Sequence, residues 1–216
     1  MKILWLDINS SYSHSSVALP AIHAQVAGRS EWEWCVVRGT INDNPGALAA
    51  AVAKEQPDVI AATCWLFTHQ MQIEVLSRAV QLIDNVKVLC GGPEVLGDNE
   101  EFLRRHPCVT AVVRGEGEIA LPKLLESIDE PAAWTGIEGL CWLDQHKALG
   151  QTESKANIYH DNGTARVADF ASLRFPEESP FFRWDKPFVQ LETTRGCFNT
   201  CAFCVSGGEK PVRSQS

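Results

Sequence analysis

Val86-Lys87-Val88-Leu89-Cys90-Gly91-Gly92-Pro93-Glu94 is the stretch of sequence that decides the fold of this chain. An apolar run of strand length ends there in a glycine-glycine-proline turn, which is typical of a buried strand that opens into a loop. Similar apolar runs begin at Ile3, Trp34, Val59 and Val109. Segments with helical composition or spacing alternate with these runs, at residues 17–26, 45–54, 70–83, 99–105 and 118–128.

Five strands that alternate with five helices require a parallel sheet with helices on both faces. We therefore expect a flavodoxin-like (Rossmann-like) α/β domain, a five-stranded parallel sheet with strand order 2-1-3-4-5. Ligands of such sheets bind at the carboxyl ends of the strands, at the point where the strand order reverses.

The composition changes after Pro131, where the segments 137–143, 157–159 and 165–167 read as short strands. Asp161-Asn162-Gly163 suggests a hairpin turn among them. A stretch rich in proline, phenylalanine and charge follows and reads as a linker, and the apolar run from Phe188 to Leu191 predicts another strand. We expect an α/β domain at 1–130, a β extension at 131–168, a linker at 169–187 and the start of a further domain at 188–216.

Composition narrows the class of protein. The chain has 216 residues, 45% of them hydrophobic, and a net charge of −8, without the basic stripe of a nucleic-acid-binding surface. No signal peptide or membrane span is evident, so we expect a cytoplasmic protein with reduced thiols. Five cysteines in or beside apolar stretches are interpreted as small core residues, namely Cys35, Cys64, Cys90, Cys108 and Cys141.

The remaining three cysteines form a C-x3-C-x2-C run at Cys197, Cys201 and Cys204. Thiolates are soft ligands that select zinc, copper(I) or iron–sulfur clusters. Three thiolates can hold three irons of a cubane cluster and leave the fourth iron open to a substrate or cofactor. A structural zinc site is the alternative, although no fourth Cys or His stands nearby at zinc-finger spacing.

The segment Glu192-Thr193-Thr194-Arg195-Gly196-Cys197, with Phe203 just before the last cysteine, resembles the radical S-adenosylmethionine (SAM) superfamily. This resemblance implies that the three cysteines ligate a [4Fe–4S] cluster, that SAM binds the open iron, and that Phe203 lies beside the adenine. The loop would follow the first strand of a TIM-type barrel, of which this sequence holds only the beginning. It also implies an external electron donor such as flavodoxin or ferredoxin.

The loops that follow the predicted strands resemble the cobalamin-binding domain that precedes the barrel in one large radical SAM class. This resemblance covers essentially the whole chain, and cobalamin would use the following residues: Ser11, Tyr12, His14, Ser15, Thr68, Gly91, Gly92, Pro93, Glu94, Arg114, Gly115, Glu116, Gly117 and Glu118. Their glycines allow the backbone to approach a flat ligand, and their polar groups can pair with corrin amides.

Two other interpretations bear on these loops. Gly115-Glu116-Gly117-Glu118-Ile119-Ala120 fits the dinucleotide fingerprint, but it follows the fifth strand and sets carboxylates where a pyrophosphate would bind. The D-x-H-x-x-G motif of a lower axial histidine ligand is missing after the first strand; Asp144 to Gly150 is the nearest match and reads as a surface turn. We therefore expect cobalamin without a histidine ligand, with His14 and His69 as hydrogen-bonding loop residues.

Together these resemblances imply the N-terminal portion of a cobalamin-dependent radical SAM enzyme. Such an enzyme reductively cleaves SAM to a 5′-deoxyadenosyl radical, commonly to methylate an unactivated carbon. The alternatives are an oxidative cyclase or rearrangement enzyme of the same family, or a non-catalytic binding module with a zinc or redox cysteine tail. No catalytic side chain is assigned. Because the barrel is incomplete, we expect these 216 residues alone to be catalytically inactive.

Overall fold

The main body of the chain is a seven-stranded sheet with the order β2-β1-β3-β4-β5-β6-β7. A computed structural model provides the structure and describes residues 1–144, 158–204 and 212–214. The first five strands are parallel, which confirms the predicted flavodoxin-like order 2-1-3-4-5. The strands of this sheet are β1 (Lys2–Asn9), β2 (Glu33–Thr40), β3 (Val59–Thr63), β4 (Lys87–Gly91), β5 (Ala111–Val113), β6 (Leu140–Leu143) and β7 (Tyr159–Asp161).

Five helices connect the parallel strands or follow the last of them, and they cover both faces of the sheet. They are α1 (Ala18–Val26), α2 (Pro45–Lys54), α3 (His69–Ala79), α4 (Glu100–Arg105) and α5 (Gly117–Glu126). The sheet has an apolar core on each face. Alternate side chains of β1 pack into one core or the other, because successive strand residues point to opposite faces. Ile3 and Trp5 pack with α1 and α5, whereas Leu4 and Leu6 pack with α2 and α3.

The predicted β extension continues the main sheet. β6 pairs antiparallel with β5, and β7 pairs antiparallel with β6. The prediction of a hairpin turn around Asp161-Asn162-Gly163 was wrong, because this segment follows β7 instead of joining the pair. Asn162 donates from Nδ2 to the carbonyl oxygens of Trp134 (2.7 Å) and Ile137 (2.8 Å), which fixes the segment on the 3-10 helix Pro131–Gly136.

The predicted linker packs on the sheet domain. Gln25 on α1 exchanges hydrogen bonds of 3.0 Å with the backbone of Arg174, and Phe170 and Leu173 are buried. The predicted strand at 188–191 is wrong: its apolar side chains are exposed, and no strand in the described part of the chain pairs with it. Among the described residues of this region, the strands are β8 (Thr194–Arg195) and β9 (Arg213–Ser214), and these residues form no closed barrel.

Among the residues that the structure describes, no helix is both long and apolar enough to cross a membrane.

Candidate functional site

A cavity of about 280 Å³ opens at the carboxyl edge of the parallel strands, between the sheet and helices α1 and α5. The rim is built from the loops after β4 and β5. Parallel strands bring their carboxyl ends to one edge, so the cavity lies where ligands of doubly wound sheets bind. Its walls are largely apolar and include Trp5, Ala61, Leu89, Val113, Ile22 and Leu121.

Trp5 lines this cavity and carries an unpaired hydrogen-bond donor. The residue is buried, and its Nε1 has no acceptor within the described residues. A buried polar group without a partner costs about 1–3 kcal/mol. Sequence reasoning missed Trp5, because its position inside an apolar run reads only as core.

Gly92 keeps the loop after β4 close to the end of β3. Its φ is +102°, and a Cβ atom would lie 2.7 Å from Thr63 Cγ2 and 2.8 Å from the carbonyl oxygen of Cys64. Glycine is required because an L side chain rarely adopts this conformation and would not fit. Gly91, Gly92 and Pro93 line the cavity, as the predicted cofactor contacts require.

Gly115 lines the cavity and also packs against the backbone of the β extension. Its φ is +99°, and a Cβ atom would lie 2.3 Å from the carbonyl oxygen of Ala165. The neighbouring Arg114 donates to the carbonyl oxygens of Gly163 (2.7 Å) and Gly97 (3.1 Å) and to Asp161 Oδ1 (2.5 Å). Arg114 thus joins β5 to the extension, while Gly115, Glu116, Gly117 and Glu118 line the cavity.

Two arginines from the C-terminal part of the chain neutralise the carboxylates of this loop. Arg195 pairs with Glu118 and lies 3.9 Å from Glu116, and Arg213 forms a bidentate pair with Glu116. Burial alone would raise the pKa of Glu116, but hydrogen bonds from Arg213 and Val167 N–H, together with both positive charges, lower it. Glu116 is therefore held as an anion beside the cavity.

Arg195 is the centre of this network. Burial would lower its pKa, but its hydrogen bonds to Glu192 and Glu118 and their charges raise it above its usual value. The guanidinium also lies over the ring of Phe170, 4.6 Å from the centroid. Arg195, Glu192 and Gln190 line the cavity, although sequence reasoning assigned none of them to a site.

The loop between β1 and α1 lies beside the cavity. Ser16 and Val17 line it, whereas Ser11, Tyr12, His14 and Ser15 do not. Ser11 Oγ lies 3.1 Å from His14 Nδ1, and Tyr12 is highly exposed. Lys186 Nζ donates to the carbonyl oxygen of Tyr12 (2.7 Å), and Phe188 stacks on His14 with centroids 5.3 Å apart. Whether these four residues contact a corrin ring stays a prediction.

Two more predicted contacts lie outside the cavity lining. Thr68 is fully buried, and its hydroxyl accepts from the backbone N–H of Trp65 at 3.3 Å. Glu94 Oε1 lies 3.8 Å from Nδ1 of His69. These positions shape the loops after β3 and β4, and their contact with a cofactor stays a prediction. The near match to the axial-ligand motif, Asp144 to Gly150, lies outside the described residues except for Asp144.

The three clustered cysteines are on an exposed loop. Cys197 is half-buried, Cys201 and Cys204 are exposed, and Phe203 is 91% exposed. In the part of the chain that the structure describes, no three Cys, His, Asp or Glu side chains are grouped so as to hold a metal ion. The cysteines are close in sequence but not gathered in space, so their role as cluster ligands stays a prediction.

Comparison with known proteins points to one class. Residues 6–125 match the family described as B12 binding domain. The chain is 28% identical over 160 residues to the uncharacterized methyltransferase PH0819 of Pyrococcus horikoshii, covering 74% of this chain and 34% of that protein. It is 27% identical over 164 residues to the cobalamin-dependent radical SAM methyltransferase TokK of Streptomyces tokunonensis, covering 70% of this chain and 22% of that protein.

A solved structure shares the fold. The cobalamin-dependent SAM radical enzyme OxsB, with aqua-cobalamin and SAM bound, superimposes with a TM-score of 0.74 over 99% of this chain and 30% of that chain, at 16% identity. The chain thus spans about a third or less of the length of these relatives.

Proposed function

The chain belongs to the B12 binding domain family, and from this premise we propose that residues 1 to about 130 bind cobalamin without a histidine ligand, a boundary judged from the change in composition at Pro131. In this proposal the domain serves a cobalamin-dependent radical SAM enzyme that methylates an unactivated carbon. Small-molecule cofactors and an external electron donor such as flavodoxin or ferredoxin would be its partners.

The observation that carries the proposal is the apolar cavity at the carboxyl edge of the sheet, with the unpaired donor of Trp5 in its wall. Cobalamin combines a corrin ring, which carries amide side chains, with a nucleotide tail that ends in a flat aromatic base. An apolar cavity of about 280 Å³ suits such a base, and acceptor atoms of the tail could pair with Trp5 Nε1. Gly91, Gly92 and Gly117 line the cavity, and the larger ring would lie against this rim.

The charges at the rim argue against a dinucleotide. Glu116 and Glu118 are the residues that a pyrophosphate would approach in the fingerprint loop, and both already have arginine partners. A pyrophosphate would have to displace these pairs or lie against two carboxylates. Uncharged amide groups, such as those of a corrin, meet no such repulsion.

For the cysteine loop we propose a [4Fe–4S] cluster on Cys197, Cys201 and Cys204, with SAM beside Phe203. Three soft thiolates within one short loop suit iron–sulfur chemistry. When the cluster is bound, it supplies the electron that cleaves SAM, while cobalamin supplies the methyl group. The part played by this chain is to hold both cofactors and exclude water.

Retention of hydroxocobalamin through a desalting column tests the proposed binding. The unmodified chain and His14→Ala should both keep a visible cobalamin spectrum that lacks a histidine-ligated form. Gly117→Val should bind more weakly, because a Cβ there lies 3.2 Å from Ile22 Cδ1 at the cavity wall. Gly28→Val is the matched control, since a Cβ at Gly28 meets nothing within 4 Å. Tight binding of NADH without cobalamin would refute the proposal.

A further inference from the structure

The C-terminal part of the chain is attached to the cavity by buried charges. Glu118, in the first turn of α5, has a side chain that is only 6% exposed, and Arg195, its partner, is 14% exposed. A buried carboxylate that loses its partner is strongly destabilising, so this contact holds its two segments together. Seventy-seven positions separate the two residues in the sequence.

Arg195 is fixed from several sides. Glu192 accepts two hydrogen bonds from it, at 2.8 Å from Nε and 2.6 Å from Nη2, and the ring of Phe170 lies beneath its guanidinium. Its strand β8 pairs with β9, whose Arg213 is bound to Glu116. A planar guanidinium with this set of partners has one orientation, so the backbone at Arg195 is fixed as well.

Arg195 also joins the cavity to the cysteine loop. Gln190, Glu192 and Arg195 form part of the cavity wall, and Arg195 contacts Glu118, which also lines the cavity. Cys197 follows Arg195 by two positions. Whatever fills the cavity therefore touches the same segment from which the cysteine loop emerges.

We propose that Arg195 is a positioning residue: its pair with Glu118 couples occupancy of the cavity to the placement of the cysteine loop. The inference rests on the proposed function, since cobalamin is the ligand that would fill the cavity. Coupling between two sites is reciprocal, so a ligand that packs against the Gln190–Arg195 wall stabilises the docked loop. In turn, a docked loop raises the affinity for that ligand.

Chymotrypsin can report the placement of the loop, because it cleaves after aromatic residues and Phe198 and Phe203 are 74% and 91% exposed. In the full chain, saturating hydroxocobalamin should slow cleavage at these two residues about ten-fold, a typical coupling between sites. Arg195→Gln should abolish this protection and weaken hydroxocobalamin binding by a similar factor. Arg195→Lys, which keeps the charge but loses the fork of donors, should recover part of both.

Arg174→Gln is the matched control, because Arg174 is exposed in the same C-terminal part of the chain and only its backbone bonds to Gln25. It should leave protection and binding unchanged. The double variant Arg195→Gln with Glu118→Gln should lose no more protection or hydroxocobalamin binding than the more affected single variant, as expected for two partners of one contact. If Glu118→Gln does not fold, the comparison of Arg195→Gln with Arg174→Gln still decides the question.

Protection by hydroxocobalamin that survives in Arg195→Gln, or that is lost equally in Arg174→Gln, would overturn the coupling. Failure of the unmodified chain to retain hydroxocobalamin would instead refute the proposed function. The ligand-free chains remain informative in that case: faster cleavage in Arg195→Gln than in Arg174→Gln shows that Arg195 places the loop, and equal rates show that it does not.

Discussion

The carboxyl edge of the sheet and the cysteine loop are opposite cases of how a site is built. The cavity takes its walls from segments as far apart in sequence as Trp5 and Arg195. The strand register aligns Trp5 with β3, and the pair with Glu118 brings Arg195 to the cavity. The cysteine loop holds its three thiols within eight consecutive residues, yet they are not gathered in the described structure. Proximity in sequence is therefore no substitute for a scaffold on both sides of a loop.

The other cysteines sharpen this contrast. Cys64 and Cys90 are buried at the ends of β3 and β4, and the hydrogen bond between their side chains, together with burial, raises the pKa of the Cys90 thiol. Such thiols are inert packing groups. Cys201 and Cys204 are exposed, as ligands of an incoming metal must be.

The largest effect is expected at the cysteine loop. Anaerobic reconstitution with iron and sulfide should give the unmodified chain a broad visible absorption, and Cys201→Ala should lose iron altogether, because three thiolates are the minimum for an open cubane. Cys108→Ala is the control: it removes a half-buried cysteine that packs against the core formed with α2 and α3, and this variant should still bind iron. Iron retained by Cys201→Ala, or a colourless zinc-loaded chain, would favour the non-catalytic binding module.

The next effect concerns the stability of the sheet edge. Gly115→Ala should lower the free energy of unfolding by about 3 kcal/mol, because alanine at positive φ is strained and its Cβ meets the carbonyl oxygen of Ala165. Gly28→Ala should change it by less than about 0.5 kcal/mol. Urea denaturation of both variants measures the difference, and equal midpoints would show that this contact does not hold the edge.

A smaller effect is expected in the cavity wall. Trp5→Phe removes the unpaired donor and should weaken hydroxocobalamin binding roughly five-fold, the value of one ordinary hydrogen bond. Trp34→Phe is the matched control, because its Nε1 is also buried without an acceptor among the described residues but does not line the cavity. Equal affinities in a spectroscopic titration would remove Trp5 from the binding site.

The smallest effect concerns the pH dependence of the free energy of unfolding. Burial raises the pKa of Asp7, although the positive charge of Arg38 opposes this shift. The contribution of Asp7 to stability is therefore present at low pH and is lost as the pH rises through the raised pKa. The lowered pKa of Glu116 acts in the opposite sense: its contribution is present above the usual glutamate pKa and is lost as pH falls through the lowered value.

Two variants separate these contributions. Denaturation series between about pH 3 and 7 measure both effects. The free energy of unfolding of Asp7→Asn should decrease less with rising pH than that of the unmodified chain. That of Glu116→Gln should decrease less with falling pH. Identical pH profiles for the two variants would contradict both assignments.

The strand order could be predicted because a helix separates each apolar run from the next and turns close the runs, as Gly91-Gly92-Pro93 does. The run from Phe188 to Leu191 misled the prediction, because apolar composition suggests a strand but only a partner strand makes one. Gly115 lies in the loop after β5, as its place after the fifth apolar run predicts, but its contact with Ala165 depends on how the chain returns after β7. No local pattern announces that Arg195 will meet Glu118.

The order in which the segments of the cavity wall occur along the chain has a consequence for folding during translation. The strands that make the cavity floor are complete at Val113, and the rim follows by Glu118, but the wall that bears Arg195 leaves the ribosome much later. Because domains generally fold from the N terminus during translation, a nascent chain displays an open-sided pocket with Glu118 still unpaired. We expect cobalamin to enter most readily during this interval, before the segment that bears Arg195 is in place.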